Sequence, residues 1–325
     1  MESALFSKIT SQVRNEFDWF KESFSSLLDT DDAYMKPLLD NVRNANGKMI
    51  RPLLVLLTAR YFGSINDKIY HVASSVELLH TASLIHDDVV DSSMKRRNKP
   101  SVNAEFDNKL AVLLGDYILT LSMLEMSKTG NLDNMKKLSG ISRTLSIGEI
   151  VQLGVRNERD LSEESYFRIV SQKTAELFSF CSMITASICG GSEEQIRMFA
   201  EFGRLVGTAF QIRDDVFDYF KSDMTGKPSG NDLREGKFTL PAIHAINSSK
   251  LDWSDTVMLI RSGSATDDDI AELIVFTVKN GGIEYANQYA ENLVRQAEDY
   301  LPKDMQPELR EAFISYLQFI IARNN

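Results

Sequence analysis

The sequence predicts an all-α protein folded as a single-domain helical bundle around a central cavity. Three observations carry that expectation. Apolar residues recur at helical spacing through nearly the whole chain. Strand signals are nearly absent, with few alternating runs and no Asn-Gly turn between β-branched segments. No Pro/Gly/Ser-rich linker, low-complexity tract or short-period repeat divides the 325 residues. Ordinary helix lengths then give roughly ten or more helices.

Residues 1–30 are amphipathic and are expected to form a peripheral N-terminal helix, packed on the outside or against a partner subunit. Asn46-Gly47 breaks the pattern, and Leu53–Phe62 makes a buried helix ending near Gly63. Val72–Leu79 is apolar at helical spacing without a breaker, so the next helix runs into Asp91. After Pro100, Asp107–Lys128 resumes as a long helix before Gly130-Asn131. Ser139–Val155 carries Gly148-Glu149-Ile150-Val151-Gln152. Ser162 caps a helix with Glu163 and Glu164 in its first turn, closed by Gly190-Gly191. Ser192 and Gln195 open the next as a capping box. Thr266, followed by Asp267, Asp268 and Asp269, starts one that ends at Asn280-Gly281-Gly282.

With 43% hydrophobic residues the chain can bury a large core. A net charge of −10 argues against nucleic acid and against electrostatic docking on anionic lipid. Its cations gather instead near acidic motifs, as a site for a small polyanion requires. Cys181 and Cys189 lie on one helix, too far apart to join within it, and read as buried free thiols in a reducing compartment. The charged first twenty residues lack the apolar core of a signal peptide. Leu53–Ala59 and Leu177–Cys189, taken as the longest apolar stretches, are too short or too polar to span a bilayer. The expectation is a cytoplasmic protein without a transmembrane segment.

The chemistry is concentrated where the helix through Val72 ends. Asp87 and Asp91 stand one turn apart on one face, with Asp88 about 100° away. Three carboxylates ending an apolar helix repel one another and are costly to bury unless something neutralises them. Oxygen-only ligands suit Mg2+, which keeps several waters and shares its shell with substrate phosphates. Arg96, Arg97 and Lys99 follow at once and suit phosphate oxygens. A solvated helix end beside a basic loop would explain this stretch alone. That explanation would have to hold twice. Asp214, Asp215 and Asp218 repeat Asp-Asp-x-x-Asp in another apolar helix, trailed by Lys227, Arg234 and Lys237. Two such faces suggest a cavity where metal ions on both walls hold one diphosphate.

Gly47-Lys48-x-x-Arg51-Pro52, both aspartate motifs, Lys173-Thr174, Gln211 and the Lys227/Lys237 segment stand in an order that resembles the trans-prenyl diphosphate synthases. These enzymes elongate allylic diphosphates with isopentenyl diphosphate, and the likeness runs from about Gly47 to the C-terminus. The resemblance implies an isoprenoid-synthase bundle over residues 1–325, a homodimer, and Mg2+ at three ions per active site. It implies Asp87, Asp91 and Asp214 as metal ligands, Asp88 and Asp218 acting through water or by orienting ligands, and Asp215 completing the catalytic motif. Lys173, Lys227, Lys237 and Arg96 would surround the allylic diphosphate with positive charge, and Gln211 and Thr174 would donate hydrogen bonds to it. Lys48, Arg51, His80 and Arg97 would form the isopentenyl diphosphate pocket, Arg by bidentate contact and Lys as a point charge. His86 is expected to be structural; Asp116 matches a recurrent family position. Where the family commonly has Arg-Arg-Gly-Lys, this chain has Arg96-Arg97-Asn98-Lys99, and Asn tolerates the left-handed turn. No side chain offers itself as base for the final proton; the resemblance implies that the released pyrophosphate takes it.

Ser83 and Ala82, four and five residues before Asp87, are small where short-chain family members carry bulky aromatics. The tail should therefore pass them, which points to a medium- or long-chain product in the hexaprenyl to decaprenyl range. A deeper floor would come from Leu138, Ile141 or Leu145, or from Met123 and Leu124. Two competing readings remain testable. A class I terpene cyclase would need a different second metal motif and no Lys48/Arg51 pocket. A non-catalytic subunit of a heteromeric synthase would be expected to have eroded motifs, and this chain keeps both.

Overall fold

Helices supply nearly all the regular structure in the computed structural model, which describes residues 2–45, 47–63, 65–96, 99–155, 161–220 and 229–322. In chain order they are α1 (Glu2–Thr10), α2 (Arg14–Leu27), α3 (Met35–Asn44), α4 (Ile50–Tyr61), α5 (Asp67–Val90), α6 (Val102–Glu105), α7 (Asn108–Ser127), α8 (Leu132–Val155) and α9 (Glu163–Val170). A π-helical turn, Ser171–Ala175, joins α9 to α10 (Glu176–Ile188). Then come α11 (Glu193–Phe217), α12 (Asn231–Arg234), α13 (Leu240–Asn247), α14 (Ser254–Arg261), α15 (Asp267–Lys279), α16 (Gly282–Asp299) and α17 (Pro307–Ala322). The one β element among the described residues is a minimal antiparallel pair, Lys95–Arg96 against Lys99–Pro100, just after the first aspartate motif. Arg97 and Asn98 lie outside the described residues.

One apolar core runs from Ile9 in α1 to Ile320 in α17, and a small satellite of Leu233, Ile260, Ile270 and Leu273 sits under α14 and α15. The expected caps form. Ser192 and Gln195 make a reciprocal capping box at α11, Thr266 and Asp269 make another at α15, and Ser162 accepts from the Ser165 amide. The N-terminus departs from expectation. Residues 1–30 form two helices, not one, and they are not merely peripheral: Phe17, Phe20 and Phe24 are buried in the main core. Each fully buried aromatic or aliphatic side chain contributes about 1.5–3 kcal/mol, so this segment is integral to the bundle.

At the centre stands α5, buried on most of its surface and packed on α4, α7 and α10. Against α7 it is locked by reciprocal hydrogen bonds, Ser75 Oγ to the Ser122 carbonyl (2.9 Å) and Ser122 Oγ to the Ser75 carbonyl (2.8 Å). His86 lies against Gly115 of α7, where a β-carbon would collide with its ring, and its Nε2 is 3.4 Å from Asp116. His86 is thus structural, as expected, and Asp116 serves it at the surface. The other side of α7 is bare: Leu113 is 64% exposed and Leu124 53%. Among the described residues α7 is the one helix long and apolar enough to cross a membrane, 20 residues at mean hydropathy 1.4. Counting uninterrupted apolar stretches misses it because Asp116 falls inside the run.

Candidate active site

Two close helix approaches build the site. Gly148 lets α8 touch the π-helical turn, since a β-carbon there would lie 2.9 Å from Gln172 Cβ and Lys173 Cγ. Gly207 does the same for α11, where a β-carbon would lie 2.7 Å from the Ala175 backbone. The π turn widens the helix at Lys173 and Thr174, and such single-turn bulges occur frequently at functional sites. Glu149 and Gln152 thereby reach Lys173, and Gln211, one turn beyond Gly207, reaches Thr174.

A cavity of about 500 Å³ opens between these elements. Asp87 and Asp91 enter it from the end of α5, and Asp214, Asp215 and Asp218 from the end of α11. The two motifs share one cavity. Arg51, His80, Ser83, Arg96, Lys173, Thr174, Gln211 and Lys237 also line it. Arg51 is buried, its guanidinium 4.5 Å from the Phe178 ring centre.

On the first wall, Arg96 grips Asp88 bidentately at 2.8 and 2.7 Å. Lys237 crosses from the other side of the cavity to Asp91 (2.7 Å) and also bonds Glu235 (2.7 Å). These carboxylates hold the Lys237 ammonium in its charged form, well above its ordinary range. Asp87 is different: burial pushes its carboxyl up to about 6, against the pull of Lys173. Lys173 itself pairs with Glu149 and donates to Gln152 Oε1 at 3.1 Å.

On the second wall neutral donors hold Asp215, and backbone amides meet Asp218. Asp215 accepts the Tyr166 hydroxyl (2.5 Å) and the Gln211 amide (2.8 Å), while the Thr174 hydroxyl donates to the Gln211 oxygen (2.7 Å). Asp218 accepts the backbone amides of Asn231 (3.0 Å) and Asp232 (2.9 Å). Burial pushes Asp215 and Asp232 upward, and each is raised further by neighbouring carboxylates.

Several expected roles change. Asp88 does not line the cavity; with both oxygens on Arg96, it holds that arginine at the rim. Thr174 and Gln211 are engaged with each other and with Asp215 instead of offering themselves as free donors. Asp218 clasps the segment that carries Lys237. Lys48 does not line the cavity; its ammonium lies 5.1 Å from the Phe319 ring centre. Lys99 donates to the Asn44 carbonyl, away from the cavity. Ser83 faces the cavity, but Ala82 is buried beside it and does not; the deeper floor candidates on α7 and α8 do not line it either. Arg97 and Lys227 lie outside the described residues. Sequence reasoning missed Tyr166, Glu149, Asp232 and Glu235. Only the Gly148-Glu149 and Asp232-to-Lys237 neighbourhoods hinted at any of them.

Among the described residues no three carboxylate, histidine or cysteine side chains converge on one point. Mg2+ takes one or two carboxylates and completes its shell with water and phosphate. Asp87 and Asp91 on one wall and Asp214 on the other are carboxylates suited to that division.

Residues 32–276 match the polyprenyl synthetase family. The chain is 35% identical over 279 residues to the octaprenyl diphosphate synthase of Haemophilus influenzae, 86% of this chain and 85% of that one. Its fold matches the crystal structure of geranylgeranyl pyrophosphate synthase from Bacteroides thetaiotaomicron, at TM-score 0.87 and 38% identity over 98% of this chain and all of that one. It also matches the Caulobacter crescentus polyprenyl synthase complexed with calcium and isoprenyl diphosphate, at TM-score 0.91 and 29% identity over 98% of both chains. An all-α bundle with paired acidic helix ends on one cavity defines a class of prenyltransferase. The chain belongs to the polyprenyl synthetase family.

Proposed function

We propose that this chain is a magnesium-dependent, cytoplasmic, homodimeric prenyltransferase that lengthens an allylic diphosphate with successive isopentenyl diphosphates to a medium- or long-chain trans-polyprenyl diphosphate. The observation that carries the reading is the single cavity onto which both aspartate motifs open, crossed by the Lys237–Asp91 contact. Ionising an allylic diphosphate develops charge on phosphate oxygens, so the site must stabilise a leaving polyanion. Bound magnesium supplies Lewis acidity to that leaving group. Asp87, Asp91 and Asp214 would hold it, while Lys173, Arg96 and Lys237 contribute fixed positive charge. Arg51 and His80, on the same cavity as Arg261, are cationic or protonatable groups that would meet the second diphosphate. Leu84, Val170 and Phe210 line the apolar part, where they keep water from the carbocation.

Incubation with farnesyl diphosphate, isopentenyl diphosphate and Mg2+, followed by product sizing, tests the reading. Elongation that needs isopentenyl diphosphate and stops in excess chelator is expected. Cyclised product without isopentenyl diphosphate would instead favour the cyclase, and an inactive purified chain the non-catalytic subunit. Medium or long chain length is supported by the small Ser83 at the cavity wall and by the octaprenyl relative, while the geranylgeranyl relative marks the shorter alternative. Ser83→Phe should shorten the product ladder. Ala82→Phe, placed in the packed core, should cost stability rather than reset length.

The homodimer is supported by the bare apolar face shared by neighbouring α7 and α8, where Leu113, Leu124, Leu132 and Ile150 are all more than half exposed. Large apolar side chains exposed on two adjacent helices mark an interaction site, and a second copy covers them most simply. Introducing Glu at both Leu113 and Ile150 should shift the sedimentation mass from dimer to monomer. The acidic charge and a cysteine usage of two thiols that are not joined to each other support a cytoplasmic setting.

A further inference from the structure

Tyr166 lies outside both aspartate motifs, yet its hydroxyl is 2.5 Å from Asp215 Oδ2, in the middle of the second. Asp215 is buried, and its other oxygen takes the Gln211 amide, itself anchored by Thr174. Both oxygens are therefore held by neutral donors, in directions set by α9 and α11. Tyr166 is well placed to hold its aim. Its helix starts at the Ser162 cap, and its neighbour Phe167 stacks on Tyr289 with ring centres 4.8 Å apart.

We infer that Tyr166 is a positioning residue for the metal site: through Asp215 it keeps that carboxylate out of direct ligation, so that Asp214 alone of the adjacent pair meets the metal. The inference rests on the metal-dependent reading above. A carboxylate has about four acceptor positions, so Asp215 can hold two fixed donors and still accept from a metal-bound water. Without the phenol it is restrained from one side only, beside Asp214, Asp218 and Asp232. It is then free to turn and compete with Asp214 for the same cation. Outer partners of this kind usually matter to affinity by about 10–100-fold.

The test uses the full chain with Tyr166→Phe, which keeps the ring and removes only the hydroxyl. Mn2+ binding is read from the electron paramagnetic resonance of free Mn2+ in the presence of inorganic pyrophosphate. An affinity weakened by about tenfold or more is expected, with the melting temperature near wild type and the KM for isopentenyl diphosphate unchanged. In an Asp215→Asn background the same substitution should add nothing. Wild-type Mn2+ affinity in Tyr166→Phe overturns the inference, and so does an equal, additive loss in the Asp215→Asn background. Should Tyr166→Phe fail to fold, Asp215→Asn alone decides: with Asp215 accepting from a metal-bound water, a weakened Mn2+ affinity supports the inference and an unchanged one overturns it. A wild-type chain that binds no Mn2+ with pyrophosphate would remove the metal reading itself and this inference with it.

Discussion

The two acidic walls carry the same Asp-Asp-x-x-Asp letters but meet different partners. On the α5 side Asp88 is held by Arg96 and Asp91 by Lys237, both charged donors. On the α11 side Asp215 is held by a phenol and an amide, and Asp218 by two backbone N–H groups. The donors differ in geometry: Arg96 meets Asp88 with a two-pronged fork, whereas the phenol and the amides each offer one bond. The difference is also one of charge. On the first wall Arg96 and Lys237 neutralise Asp88 and Asp91, whereas on the second Asp215 is oriented by donors that carry no charge. Metal binding at Asp91 should therefore free Lys237 to meet a diphosphate oxygen.

The sharpest way to break this contrast lies within the first wall. Asp87→Ala removes a carboxylate facing the cavity and should cost on the order of 10³-fold in kcat, several kcal/mol at about 1.4 kcal/mol per decade. Near-normal turnover would end its assignment as a metal ligand. Asp218→Ala should act less severely and by another route, because it releases the amides of Asn231 and Asp232 and with them the segment that carries Lys237. A kcat loss of about tenfold to a hundredfold is expected, with Mn2+ affinity nearly retained. A large loss of metal affinity instead would make Asp218 a ligand and erase the asymmetry.

The smallest effect is thermodynamic. Asp87 has its carboxyl raised to about 6 in the folded protein, so the folded state binds more protons than the unfolded one and loses stability as pH rises toward that value. Asp87→Asn, which mimics the protonated form, should raise the melting temperature of the metal-free protein by a few degrees at pH 7.5. The gain should shrink steadily as pH falls below about 6. A gain that stays constant down to pH 4 would show that desolvation of this charge is not its source.

Much of the site could be read before any coordinates. Spacing places Asp87 and Asp91 at a helix end and Asp214 within an apolar helix, and all three face one cavity. The residues that escaped or misled share a trait. Tyr166 is an ordinary buried aromatic until its hydroxyl is seen on Asp215. Lys48 has a plausible motif position but lies over Phe319, on a helix near the far end of the chain. Thr174 and Gln211 are oriented by the π turn and by the approach at Gly207, and a 3.6-residue period expresses neither.

Helix positions, caps and acidic helix ends follow from interactions within a few residues, and these the sequence determines unaided. Only the tertiary structure decided that Lys237 crosses to Asp91, that Glu149 meets Lys173 and that the Tyr166 phenol holds Asp215. Each of those pairings joins groups distant along the chain. Their contact depends on how closely whole helices approach, through gaps such as Gly148 and Gly207, and no local pattern encodes that distance.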